Sequence, residues 1–189
     1  MVEELKKVEG NIIGVITDNF SIPNYNGLAI DDIITYKKED TMRITLLNIK
    51  STNNLSTKNI SKLQLAKNIN EKYIVLYDFF KGLNNKELQY YKRLFLKITK
   101  NYNKKIILVS KNLDSLIDVC DMFVIYDRKI VYKTSDVFDD KLYNYVSMPN
   151  IVKFIKLANK KGAQLLPTLD INELIKDIYR RLNAGKDII

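Results

Sequence analysis

At 189 residues the chain suits one domain, or one domain with a small appendage. Its 46% apolar and 28% charged residues are ordinary for a globular protein, and the formal net charge is +9. Complete absence of histidine excludes Ser-His-Asp and Cys-His nucleophiles, His-ligated zinc and any histidine base. The lone Cys120 excludes an internal disulfide framework and a cysteine metal cluster. No 18-residue apolar run is present, so no transmembrane helix is expected, and Met1 to Lys7 lacks the apolar core of a signal peptide.

Ile12 to Thr17 reads as a first strand around Gly14, and Asp18 to Asn26 as a loop marked by Pro23, several asparagines and the following Gly27. Leu28 to Tyr36 is a short helix or turn carrying Asp31 and Asp32. Arg43 to Ile49 fits a strand or a compact helix. Ser56 is a helix N-cap, with Ile60, Leu63, Ala66 and Ile69 inward on a helix through Asn68. Tyr73 to Tyr77 is a strand, and Asp78 to Asn85 a turn. A helix follows with Leu88, Tyr91, Leu94, Phe95 and Ile98 on one stripe, then the buried-type strand Ile106 to Ser110. Strand, helix and strand in that order build a parallel sheet. Asn112 caps a further helix with Leu113, Leu116, Ile117 and Cys120 inward, and Met122 to Lys133 is a strand pair turning at Asp127-Arg128-Lys129. Two helices end the chain. One starts at Pro149-Asn150 and stops at Gly162; the other starts at Asp170-x-x-Glu173, with Ile171, Leu174, Ile175, Ile178 and Leu182 as its apolar stripe.

The central unit resembles ABC-transporter ATPases, in which a strand ends in Asp-Glu, the turn carries Gly-Leu-Asp and the next strand ends in Thr-His. Those places read Tyr77-Asp78, Gly82-Leu83-Asn84 and Ser110-Lys111. The similarity is greatest to the ATPase subunits of energy-coupling-factor transporters. Leu55-Ser56-Thr57-Lys58-Asn59 resembles the Leu-Ser-Gly-Gly-Gln signature, and Asp18 stands where the glutamine of a Phe-Gln-Asn-Pro-like loop would be. Cys120 to Ile125 resembles the strand after the switch histidine, and Met148 to Leu174 the C-terminal dimer-forming extension.

The resemblance implies an α/β, partial P-loop-NTPase-like parallel sheet lacking the phosphate-loop strand. It divides the chain into a core at 1–146 and a helical extension at 147–189. It further implies a cytoplasmic protein, peripheral on a membrane, that pairs with itself or with an intact ATPase subunit and docks a membrane-embedded subunit. The departures have chemical meaning. No Gly-x-x-x-x-Gly-Lys-Ser/Thr occurs in the 189 residues, so no loop of that type cradles phosphates. Tyr77 is no hard ligand for magnesium, and Thr57 and Lys58 put side chains where glycine lets backbone approach a phosphate. Lys111 holds the switch position.

Three functions follow. The first is a non-catalytic ATPase-like subunit acting by association, with no cofactor of its own. The second is a residual enzyme that uses ATP and magnesium only in trans, with Asp78 as base, Ser56 offering its hydroxyl and Lys58 its charge to a γ-phosphate. The third is a basic nucleic-acid-binding module, which requires a continuous Lys/Arg face; in the sequence the lysines are dispersed. The simpler reading of Asp78 is a strand-end carboxylate, solvated or capping the next element. Asp31 and Asp32 read either as bidentate partners for an arginine of a membrane subunit or as solvated acids.

Overall fold

The computed structural model describes residues 2–33 and 52–184. A short helix α1 (Val2–Leu5) precedes β1 (Ile12–Ile16), and α2 (Ile30–Ile33) follows. Then come α3 (Thr57–Asn68), β2 (Tyr73–Tyr77), α4 (Asn85–Tyr102), β3 (Lys105–Ser110), β4 (Met122–Ile125) and β5 (Ile130–Lys133). The helices α5 (Asn150–Lys160) and α6 (Ile171–Ala184) complete the described chain. The expected element at Arg43 to Ile49 lies outside the described residues.

Local chemistry accounts for the helix starts. Ser56 Oγ accepts the Asn59 N–H at 3.3 Å, capping α3. Asn84 and Glu87 exchange both bonds of a capping box at the start of α4, and Asn103 in the left-handed region ends that helix. Asp170 Oδ1 accepts the Asn172 N–H at 2.7 Å and opens α6. Gly162, with φ +92°, takes the chain out of α5.

The sheet order is β2-β3-β1-β4-β5, parallel except for the final β4–β5 hairpin. Each central strand is apolar on both faces, as a parallel sheet covered on both sides requires. Ile12, Ile16, Ile106, Leu108 and Phe123 face a core shared with α3, α4 and residues 113–120. Ile13, Val15, Ile107, Val109 and Val124 face the other side, where Leu5 of α1 and Phe20 cover them.

Two expectations are corrected. The first concerns the gap that a lost phosphate-loop strand would leave, expected to be closed by β3 and β4 meeting or filled by Met1 to Gly10, Arg43 to Ile49 or a partner chain. No gap exists between β3 and β4, because β1 pairs with β3 on one side and with β4 on the other. Gly14 makes this position habitable. A Cβ there would come within 2.8 Å of Phe123 and 3.1 Å of Cys120 Sγ, so β1 lies hard against what covers it. The second is the helix expected after Asn112. Asn112 Oδ1 does accept the Asp114 N–H at 2.9 Å, but only one 3-10 turn, Leu113–Ser115, follows. Leu113, Leu116, Ile117 and Cys120 are buried as their spacing demands, without a continuous α-helix beneath them.

Candidate functional site

In a parallel sheet, ligands bind outside the carboxyl ends of the strands. Here those ends bring together Thr17, Tyr77, Asp78, Ser110, Lys111 and Asp127, the loops after β1, β2, β3 and β4. A cleft of about 330 Å³ opens beside them, lined by Asp78 to Lys81 and by Ser110, Lys111, Asn112 and Ser115.

Asp78 holds φ +43°, a left-handed backbone that an L-residue adopts only under constraint. Two bonds supply it. Its N–H extends the ladder to the Val109 carbonyl at 2.8 Å, and its Oδ1 accepts the Ser110 hydroxyl at 2.8 Å. Ser115 Oγ lies 3.2 Å from Ser110 Oγ and donates to the Asn112 carbonyl at 2.8 Å. The carboxylate is therefore tied into a chain of hydroxyls at the floor of the cleft.

Tyr77 is fixed by a side chain the sequence reading passed over. Gln64 of α3 is buried, accepts the Tyr77 N–H at 2.7 Å and donates to the Tyr77 carbonyl at 3.0 Å. The Tyr77 ring stacks on Phe20, with centroids 5.7 Å apart and planes 26° apart. Phe20 follows β1 and Tyr77 ends β2, with β3 between them, so the stack bridges the end of β3. Lys111 Nζ sits 6.0 Å from the Phe20 ring centroid and 3.9 Å from Asp18. Both Lys111 and Asp18 are exposed, so that ion pair is weak.

The loop after β1 has used two of its own donors. The Thr17 N–H bonds the Ser110 carbonyl at 3.2 Å, and the Asn19 N–H bonds Thr17 Oγ1 at 3.1 Å. Thr17 Oγ1 in turn lies 3.3 Å from both Asp127 carboxylate oxygens.

The signature-like residues lie around the start of α3, away from the hydroxyl chain but joined to the turn after β2. Ser61 Oγ donates to the Phe79 carbonyl at 2.8 Å, and Gly82 packs against the Thr57 side chain. Lys58 forms an ion pair with Glu87, and this pair together with the Asn84 N–H holds the Glu87 carboxyl below its usual range. The Ser56 hydroxyl is occupied by its cap, and the Leu55 N–H donates to Asn26 Oδ1 at 3.0 Å. Asp31 and Asp32 fall on α2, and their side chains lie outside the described residues.

Phe20, Gln64, Ser115 and Asp127 were missed because each is recognisable only by a distant partner. Gln64 carried a signal: a polar residue between Leu63 and Leu65 on a helix that must bury that region. Among the described residues no group of His, Cys, Asp and Glu is arranged to hold a metal ion, and no helix is long and apolar enough to cross a membrane.

Over 123 residues the chain is 29% identical to the energy-coupling factor transporter ATP-binding protein EcfA2 of Mesoplasma florum. The match covers 62% of this chain and 38% of that protein, so the chain spans well under half of its relative's length. No family model matches the chain. The similarity relates the chain to ABC-type ATP-binding subunits, and the mostly parallel α/β sheet is compatible with that relation.

Proposed function

We propose that this chain is an ATPase-like subunit that works by association with other subunits and does not itself turn over ATP. The observation that carries the reading is the Phe20–Tyr77 stack across the end of β3. We read β1, which lies between β3 and β4, as standing where an intact ATPase subunit would carry its phosphate-loop strand; Thr17 to Asn24, Asp18 included, then takes the place of the phosphate loop rather than of the glutamine loop. Laying Gly-x-x-x-x-Gly-Lys-Ser/Thr over it puts Thr17 and Ile22 at the glycines, Pro23 at the lysine and Asn24 at the hydroxyl. Pro23 has no N–H to give, the Asn19 N–H is already spent on Thr17, and Phe20 lies against Tyr77, the residue at the magnesium-ligand position. A triphosphate meets two aromatic rings and neither a P-loop lysine nor a magnesium carboxylate.

The signature side supports the same reading. Lys58 is engaged by Glu87 and Ser56 by its own helix, so neither is presented free to a phosphate held by a partner. Association is supported by α6, where Ile171, Ile175, Tyr179 and Leu182 are exposed on one side while Leu174 is buried against α5.

Thermal unfolding with Mg-ATP tests the first half. A ligand that binds only the folded state at a hundred times its Kd adds about 2.7 kcal/mol. A flat response to millimolar Mg-ATP is expected, and a rise with concentration would overturn the reading. For the second half, Ile175→Asp with Leu182→Asp should abolish self-association or capture of an intact ATP-binding subunit. Undiminished association would remove that half.

A further inference from the structure

The helix α4 carries five cations, Lys86, Lys92, Arg93, Lys97 and Lys100, against the single acid Glu87. At 100° per residue, Lys86, Arg93, Lys97 and Lys100 fall within an arc of about 60° and run about 21 Å along the axis. All four are exposed, and none makes an ion pair among the described residues. The acids that flank the arc are already taken: Glu87 by Lys58 on one side, Asp118 by Lys92 on the other. A ridge of cations is thus left without counter-charge among the described residues. That is not the ordinary pattern of a solvated helix, which intersperses both signs.

Apolar side chains border the same ridge. Tyr90, about 20° beyond one edge of the arc, is 53% exposed, and Leu96, about 40° beyond the other edge, is 58% exposed. The opposite side of the helix is anchored to the sheet by Tyr91, Phe95 and Ile98. The ridge is therefore held in place on the sheet.

We propose that this face of α4 docks on an anionic lipid bilayer, the cations on its headgroups and Tyr90 and Leu96 in the interfacial layer. A bilayer offers a flat sheet of negative charge with hydrocarbon beneath it, which matches cations beside exposed apolar groups. A nucleic-acid backbone offers the charge without an apolar partner for Leu96. Embedded along its length, α4 does not stand out to enter a groove about 12 Å wide.

The test uses the full chain and protein-free vesicles, so its outcome is independent of the association reading above. Partition onto vesicles of phosphatidylcholine with about a third phosphatidylglycerol should exceed partition onto pure phosphatidylcholine, and should fall as salt shortens the Debye length from ~10 Å to ~3 Å. Each cation near the surface is worth about five-fold. The triple variant Arg93→Gln, Lys97→Gln, Lys100→Gln should therefore lose on the order of a hundred-fold. Leu96→Ser, which leaves the charge unchanged, should lose a few-fold, and Lys153→Gln with Lys160→Gln, on α5, should lose nothing. All these positions are exposed, so unaltered circular dichroism and Tm are expected. The proposal fails if anionic vesicles do not bind the chain, or if the triple variant binds them as the parent does. It also fails if Leu96→Ser is silent, or if duplex RNA or DNA is bound and the vesicles are not.

Discussion

Phe20 stacks on Tyr77 at 5.7 Å between ring centroids, joining the loop after β1 to the end of β2. A pair of this kind contributes about 0.5–1.5 kcal/mol beyond the area it buries. Tyr77→Ala and Phe20→Ala should each lower unfolding stability by more than that, and the double variant should cost less than the sum of the singles. Urea titration of the four proteins measures the coupling. Neither substitution supplies a P-loop lysine or a magnesium carboxylate, so neither should create a thermal response to Mg-ATP. A response in Phe20→Ala would mean that the ring alone blocks an otherwise competent site.

The aromatic stack shows where sequence reading stops. Caps are local, so Ser56 and Asn84 could be assigned from neighbours three residues away. The unit from β2 through α4 to β3 was legible because one apolar stripe and two apolar runs leave few alternatives. The place of β1 was not legible. Ile12 to Ile16 is apolar throughout, and a run buried on both faces carries no mark of which strands it will lie between. Gly14 was visible as a glycine in a strand, but its reason, contact with Phe123 and Cys120, lies more than a hundred residues away. Leu113, Leu116, Ile117 and Cys120 suggested a helix because one 3-10 turn continued by irregular chain can bury the same positions. The basic ridge of α4 was overlooked for the opposite reason: the lysines look scattered along the chain and converge only when wound at 3.6 residues per turn.

Gly14→Ala tests the close packing of β1. The added methyl would meet Phe123 at 2.8 Å, Cys120 Sγ at 3.1 Å and Leu116 at 3.2 Å. Overpacking of this kind costs about 1–3 kcal/mol. A drop in Tm with an unchanged denaturant slope is expected. Neutrality would mean that the contacts to residues 116–123 are looser than the geometry indicates.

Gln64 makes both of its bonds to the backbone of one residue, Tyr77, on the outer edge of the described sheet. Gln64→Leu keeps the volume and leaves that N–H and carbonyl without their partner, at about 1–3 kcal/mol for an unsatisfied buried group. Gln64→Glu retains an acceptor for the N–H but sets a carboxylate against the carbonyl, and should be worse at neutral pH than in mild acid. Hydrogen exchange at the Tyr77 amide reads the effect directly: protection should fall in Gln64→Leu, persist in Gln64→Glu, which still accepts that N–H, and stay high at Val109 in the neighbouring strand.

Asp177 governs how α6 is held. Its carboxylate accepts the Leu166 N–H at 2.9 Å and the Arg181 Nε–H at 3.2 Å. The backbone bond, with Arg181 second, holds its carboxyl below the ordinary aspartate range. A depressed native value means that the unfolded chain binds the proton more readily. The stabilisation is therefore fully present above the unfolded value of about 3.9 and is lost as pH falls through the lower native one. Asp177→Asn cannot respond in this way. The stability difference between parent and Asp177→Asn should be constant from neutral pH down to about 5 and shrink below about 4. If exposed Ile175 and Leu182 carry association, the same acid range should weaken it in the parent, because the linker at Leu166 no longer anchors α6. Sedimentation across that range, set beside thermal unfolding of both proteins, separates undocking of α6 from global acid unfolding.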